Sequence, residues 1–339
     1  MTQATARAYP NIALVKYWGK ADEALIIPVA GSMSMTLDDY ATTTTVRLDD
    51  AADALSLNGT ELDHADSATQ RVGAFLDIVR GLAQERGLDT AAAHAQVTTV
   101  NEGPTAAGMA SSASGFAALA QAASAAYGLD LDTRDLSRLA RRGSGSASRS
   151  VINRFAVWHA GDSDETSYAE EIAAPDLAMI AVTVASGTKK VSSRAGMRAT
   201  AATSPFYRAW ITTTEESLNE MVRACADADF TRIGEITEAH AMRMHAVINA
   251  CEPPIRYLAP ASYQVFDAVA ELRANGVEAY ATADAGPNVV VISRPEDAEQ
   301  IAGALGQYAE NGEAKVLRPG PGAHVVNADD AADAAGATA

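Results

Sequence analysis

Two kinds of hydrophobic patterning divide the chain. Over "DSATQRVGAFLDIVRGLAQERGL", Val72, Phe75, Leu76 and Val79 fall at i, i+3, i+4 and i+7, which predicts a helix with one inward face. The β-branched runs "TTTTVRL" (42–48) and "HAQVTTVN" (94–101) predict strands, as does "RFAVWHAG" (154–161). Between the last two, an alanine-rich helix carries Phe116, Leu119, Ala120, Ala123 and Tyr127 on one face and stops at Gly128. A short capped helix over 132–143 follows, with Leu136, Leu139 and Ala140 inward.

From "LAMIAVTV" (177–184), a buried strand, the order changes. Two long helical patterns lie around 204–227 and 230–248. A third, "PASYQVFDAVAELRANG", turns Val265, Phe266, Val269 and Leu272 inward and ends at Gly276. Strand 277–283, a tight "DAGPN" turn, strand 289–293, helix 295–308 and strand 314–318 complete the pattern. Strand–helix–strand–strand–helix–strand is the split βαβ, or ferredoxin-like, order, here with helices inserted after its first strand. The expected fold class is α+β in two domains, 6–180 and 181–326. The remainder, "NADDAADAAGATA" (327–339), is small and acidic and is expected to be disordered.

Composition narrows the function. The 339 residues, 48% hydrophobic, suffice for two cores. A net charge of −17 argues against nucleic acid or an anionic membrane as partner, because both select for excess Lys and Arg. The two cysteines, Cys225 and Cys251, have neither metal spacing nor a disulfide framework. The N-terminus "MTQATARAYPN" lacks a signal-peptide pattern and no apolar run is long enough to span a bilayer, so a cytoplasmic protein is expected.

Five segments could carry chemistry. In "NEGPTAAGMASSASGF" (101–116), small residues run into a helix, so backbone N–H groups can approach an anion at the helix N-terminus. Ser111 and Ser112 add hydroxyls for phosphate oxygens or a hydrated Mg²⁺. No Lys follows, so this is not the P-loop; close helix packing alone would also explain the small residues. In "RRGSGSASRS" (141–150), Ser144, Ser146, Ser148 and Arg149 suit a diphosphate or carboxylate, although a flexible polar loop reads the same way. "PNIALVKYWGK" (10–20) sets Asn11, Lys16, Tyr17 and Lys20 among apolar residues, as either a binding wall or an edge strand with solvated lysines. In "TADAGPN", Asp284 is either turn chemistry or, in a partly dry pocket beside a Lys, a general base. "GTKKVSSRAGM" supplies Lys189, Lys190, Ser192 and Ser193 on a cationic loop able to close over phosphates. His240 and His245 are five apart, do not share a helix face, and are not read as a metal site.

Taken in order, "YPNIALVKYWGK", "EGPTAAGMASSASGFAAL", "ARRGSGSASRS", "KKVSSRAGM" and "DAGPN" resemble the motif set of the diphosphomevalonate decarboxylases, a branch of the galactose, homoserine, mevalonate and phosphomevalonate kinases, over about residues 6–325. The resemblance implies a small-molecule-kinase fold, with a ribosomal-S5-domain-2-like first domain and a ferredoxin-like second, usually homodimeric. It implies ATP and Mg²⁺ as cofactors and a phosphorylated mevalonate as the small-molecule substrate. It implies ATP-dependent decarboxylation to isopentenyl diphosphate, ADP, phosphate and CO₂. Gly103, Ala107, Gly108, Ala110, Ser111 and Ser112 would hold the ATP phosphates, with Ser111 and Ser112 near the metal and Asn101 near the nucleotide. Asp284 would act on the tertiary hydroxyl, with Lys20 orienting or charge-balancing it. Asn11, Tyr17, Lys20, Ser144, Ser146, Arg149 and Ser192 would bind substrate, Arg149 also counting as catalytic. Lys189 and Lys190 would flank the γ-phosphate.

Two departures from that pattern stand out. Asn153 and Arg154 replace a usual Gly-Gly pair, which would bring an extra Arg near the anion site, and Gly31 replaces a usual Ser, Thr or Asp. A decarboxylase of mevalonate 5-phosphate, a mevalonate-type kinase that releases no CO₂, and a non-catalytic nucleotide binder remain alternatives to the diphosphate-specific enzyme.

Overall fold

The computed structural model describes residues 2–103, 111–187 and 190–326, with the side chain of Ser111 outside that description. The 327–339 tail lies outside the described residues. The first half supplies helices α1 (Ser67–Glu85), α2 (Ser111–Tyr127), α3 (Thr133–Gly143) and α4 (Ala147–Ser150). The second half supplies α5 (Ser193–Thr203), α6 (Tyr207–Ala226), α7 (Phe230–Asn249), α8 (Pro260–Ala274) and α9 (Ala298–Leu305).

Three sheets organise these helices. A six-stranded sheet runs, edge to edge, His324–Val326, Gln3–Ala8, Thr42–Asp49, His94–Asn101, Ala54–Leu57, Thr60–Leu62. The strand at residues 324–326 therefore returns to the first sheet and pairs antiparallel with Gln3–Ala8. Helix α2 lies on this sheet, and its alanines at 117, 118, 120, 122 and 123 are fully buried. Small side chains let helix and sheet approach closely, and Gly128, at φ +77°, ends the helix without the strain a Cβ would bring.

A four-stranded sheet runs Ala169–Glu171, Phe155–Trp158, Ser32–Thr36, Asn11–Val15. The third sheet runs Ala279–Thr282, Val289–Ser293, Ala178–Val182, Lys315–Leu317, with every neighbouring pair antiparallel. In chain order its strands stand 2-3-1-4, which is the ferredoxin-like arrangement anticipated from the element order. Helices α8 and α9 cover one face through Val265, Val269, Ile301 and Leu305. The other face shares one core with the second sheet, joining Met179 and Ile292 to Ile12, Leu14, Met33 and Phe155, with Met221 and Ile233 from α6 and α7. This shared apolar layer brings the strand at 11–15 and the turn after Thr282 to a common end. Asn11–Val15 is an edge strand, but all five residues are buried, so it is not the solvated edge that its lysines suggested.

Candidate active site

Lys16 follows that buried strand and is 1% exposed. Its side chain folds back, donating to Ala13 O at 2.8 Å and to Asp284 Oδ1 at 2.7 Å. Burial pulls the ammonium pKa down, and the Asp284 carboxylate pulls it back up. Asp284 stands on a locked turn, in which Asn288 Oδ1 accepts from Val184 N and Ala185 N, at 2.9 and 3.1 Å. A shallow pocket beside it is lined by Ile12, Thr183, Thr282, Asp284 and Gly286. The lysine that balances Asp284 is thus Lys16, not Lys20. Lys20 opens a hairpin (Lys20–Asp22 with Ile27–Pro28), and its ammonium goes to Glu23 at 2.9 Å. The sequence displays Lys16 and Lys20 alike, and only the fold-back over Ala13 separates them.

Arg149 is 2% exposed on the short helix α4. Its guanidinium donates to Ser34 Oγ at 2.9 Å, to Asn11 Oδ1 at 3.2 and 3.3 Å, and to Ser32 Oγ. Burial pulls its pKa down to about 10, against the opposing pull of Asp284. Asn11 is itself fixed, donating to Ser146 O at 3.0 Å and Ser150 Oγ at 2.8 Å. The "GSGSASRS" segment is therefore an ordered turn and helix, and not a flexible loop. Arg141, two residues before it, is fully buried and spent on Leu25 O, Ser167 O and Asp164.

Hydroxyls gather beside these cations. Ser144 Oγ lies 3.4 Å from Ser112 Oγ and 3.5 Å from Ser146 Oγ. The Tyr17 phenol packs on Trp158 at 4.8 Å, and its hydroxyl finds no partner among the described residues. Burial raises its pKa, while Arg149 and Arg194 pull it down. A Cβ at Gly145 would sit 2.8 Å from that hydroxyl, so glycine is what admits the ring. Arg194 also acts on Arg71, which donates to Gly143 O at 3.3 Å and covers Phe116. Arg71 and Arg194 are two further cations beside the serine cluster. Reading the sequence named neither: Arg71 sits in a helical pattern that reads as an ordinary solvated face, and Arg194 lies in the segment read as a cationic loop for its lysines and serines.

The remaining expected positions are more dispersed. Ser192 Oγ accepts from Ala195 N at 3.2 Å, capping α5, so the predicted cationic loop becomes helix from Ser193. Lys190 is exposed, and Lys189 lies outside the described residues. Asn101 ends its strand and accepts from Gly103 N at 3.0 Å. Ala107, Gly108 and Ala110 lie outside the described residues, as does the Ser111 side chain. Ser112 is exposed at the start of α2, whose first turn carries no acidic residue.

Of the two departures, Gly31 has a packing explanation, and the Asn153–Arg154 pair lies at the surface. Arg154 adopts φ +49°, and its guanidinium pairs with Asp176 at the surface instead of entering the anion site. Asn153 accepts from Gly322 N at 2.9 Å. A Cβ at Gly31 would lie 2.5 Å from Leu218 Cδ2 and 2.9 Å from Trp158 O.

Residues 8–169 match the diphosphomevalonate decarboxylase-like N-terminal domain, and residues 178–330 match the mevalonate 5-diphosphate decarboxylase C-terminal domain. The chain belongs to the diphosphomevalonate decarboxylase family. The diphosphomevalonate decarboxylase of Ganoderma lucidum is 37% identical over 335 residues, covering 91% of this chain and 83% of that one. The mevalonate diphosphate decarboxylase crystal structure from Staphylococcus aureus is 42% identical, covers 96% of this chain and 98% of its own, and superposes with a TM-score of 0.90. A structure of MDDEF in complex with MVAPP, AMPPCP and magnesium is 43% identical, covers 96% and 99%, and has a TM-score of 0.89. Family membership agrees with the two-domain α+β fold.

Proposed function

We propose that this protein catalyses the ATP-dependent decarboxylation of (R)-5-diphosphomevalonate to isopentenyl diphosphate, ADP, phosphate and CO₂. The observation that carries the reading is the Lys16–Asp284 pair, set at the junction of the two halves beside buried Arg149. Asp284 takes the proton of the tertiary hydroxyl as that oxygen is phosphorylated, and Lys16 keeps the carboxylate ionised for the task. A tertiary alkoxide is a poor leaving group and its phosphate ester a far better one. Loss of phosphate with CO₂ then forms the double bond. Asp284 passes that proton on to the departing phosphate, and its carboxylate, ionised again, stabilises the positive character developing at the tertiary carbon, with no covalent nucleophile.

Arg149 receives an anionic group of the substrate, its orientation set by Asn11, Ser32 and Ser34. Tyr17, Lys20, Ser144, Ser146, Ser192, Arg71 and Arg194 serve the diphosphate end. Asn101, Gly103 and Ser112 at the start of α2 would hold ATP, and Lys189 and Lys190 would serve its terminal phosphate. Mg²⁺ neutralises phosphate charge when bound. Ser112 and Ser111 would hold it, directly or through water, and the exposed Ser112 hydroxyl with the acid-free first turn suits that role. In the same reading the enzyme is cytoplasmic and homodimeric, with its domains meeting near residue 180; the two family models, which match residues 8–169 and 178–330, support that boundary.

The test incubates purified protein with Mg-ATP and, separately, (R)-mevalonate, its 5-phosphate and its 5-diphosphate, following ADP and CO₂. Equal ADP and CO₂ from the diphosphate alone is expected. The same result from the monophosphate would reassign the substrate, and ADP without CO₂ would make the protein a kinase.

A further inference from the structure

The strand Asn11–Val15 ends one residue before Lys16, so the buried Lys16 N–H has no ladder partner. It donates instead across the molecule to His240 Nδ1 on α7, at 3.0 Å. His240 is fully buried, and its ring lies 4.7 Å from that of Trp210 on α6. Its Nε2 stands 3.2 Å from Thr214 Oγ1. The single hydroxyl proton of Thr214 is committed to Trp210 O at 2.7 Å. Thr214 must therefore accept from His240, which places the imidazole proton on Nε2 and leaves Nδ1 bare for Lys16. One neutral tautomer satisfies all three bonds. Trp210 adds a second grip by donating from Nε1 to Trp18 O at 2.9 Å. Helices α6 and α7 thus hold the Lys16–Trp18 backbone from the opposite half of the chain.

We infer that His240, held by Thr214 and Trp210, is a positioning residue for the reaction, fixing the Lys16 backbone so that its ammonium meets Asp284. This rests on the Lys16–Asp284 pair being the reacting centre. A buried imidazole whose only role was to fill space would not need its Nδ1 bare and aimed at a main-chain N–H. Nothing else among the described residues supplies that N–H with an acceptor.

The test compares His240→Asn, His240→Gln and His240→Leu in the full chain, assayed with Mg-ATP and (R)-5-diphosphomevalonate well below each variant's melting temperature. Asn can offer Oδ1 where Nδ1 stood, whereas Gln places its amide near the Nε2 position and Leu offers neither. The expected result is kcat within about 3-fold of the parent for Asn and a fall of about 10- to 100-fold for Gln and Leu, with both KM values within about 3-fold. Equal kcat for Asn and Gln would overturn the inference even if the Leu variant does not fold, as would losses confined to KM or kcat values that merely follow the melting temperatures. Lys16→Met and Asp284→Asn are run alongside. If either turns over normally, the reacting centre itself is misassigned and the inference falls with it. If both are inactive while all His240 variants are normal, only the positioning role is refuted.

Discussion

Two buried cations flank the same carboxylate, and they are built in opposite ways. Lys16 arrives at the end of a strand and spends its charge on Asp284 at 2.7 Å. Arg149 arrives on a one-turn helix, and its bonds among the described residues go to the neutral oxygens of Asn11, Ser32 and Ser34. Both are at least 98% buried. A buried charge is costly unless it is paired and hydrogen-bonded. The Lys16 side is therefore electrostatically complete before substrate arrives, whereas the Arg149 side is hydrogen-bonded but not neutralised, which in the proposed function leaves it for an incoming anion. Such a division suits a highly charged substrate on an acidic protein, because two buried cations then face the ligand despite the net charge of −17.

The largest test of this contrast removes the shared carboxylate. Asp284→Asn should cut kcat by roughly 10³- to 10⁵-fold while ATP affinity changes little, with the melting temperature falling because the buried Lys16 ammonium loses its counter-charge. Turnover within tenfold of the parent would remove Asp284 from the chemistry.

A second test uses pH, because the two buried histidines among the described residues, His240 and His245, lie where the Lys16 charge reaches them. Burial lowers the pKa of His240 to about 3 and that of His245 to about 4, from the usual 6.5, and the Lys16 charge adds to both shifts. The unfolded chain thus binds more protons than the folded one between those values. Stability from this source is complete above pH 6.5 and is lost as pH falls towards 4, by roughly 2 kcal/mol per imidazole at pH 5. Urea unfolding between pH 7.5 and 5 measures it, and His240→Asn should flatten about half the slope.

Arg149→Lys should act on the other side alone. It turns a forked donor into a point charge, so KM for the diphosphate should rise about 10- to 100-fold with the ATP constant within about 3-fold. A loss that fell mainly on ATP would move Arg149 to the nucleotide half of the cleft. The smallest effect is expected at Arg154, whose guanidinium is tied to Asp176 at the surface. Arg154→Asn should leave kcat/KM for both the mono- and diphosphate within about 2-fold, because surface ion pairs contribute little. A change in preference between the two esters would show that the side chain reaches the site.

Much of this protein was written locally. Helical periodicity located α1, α2, α6, α7 and α8, because a helix that buries one face must repeat its apolar residues every three to four positions. The order of strands and helices after residue 177 sufficed for the ferredoxin-like sheet, since few chain paths connect those elements without crossing. Small residues before α2, the serine-rich turn around Arg149 and the Asp on a tight turn singled out the segments proposed for the site, because each motif carries its own backbone chemistry. Tertiary structure decided what distance hid. Lys16 and Asp284 are 268 positions apart, and His240 is 224 from the N–H it accepts, so no local pattern distinguishes Lys16 from Lys20 or gives His240 a role. The five-residue spacing that separates His240 from His245 on a helical wheel did not prevent both from being buried where the Lys16 charge reaches them. The return of residues 324–326 to the first sheet was equally unreadable, since a three-residue strand has too short a pattern to name its partner. Sequence specifies the donors and acceptors that each segment carries; which of them meet in the dry junction between the halves depends on the path of the whole chain.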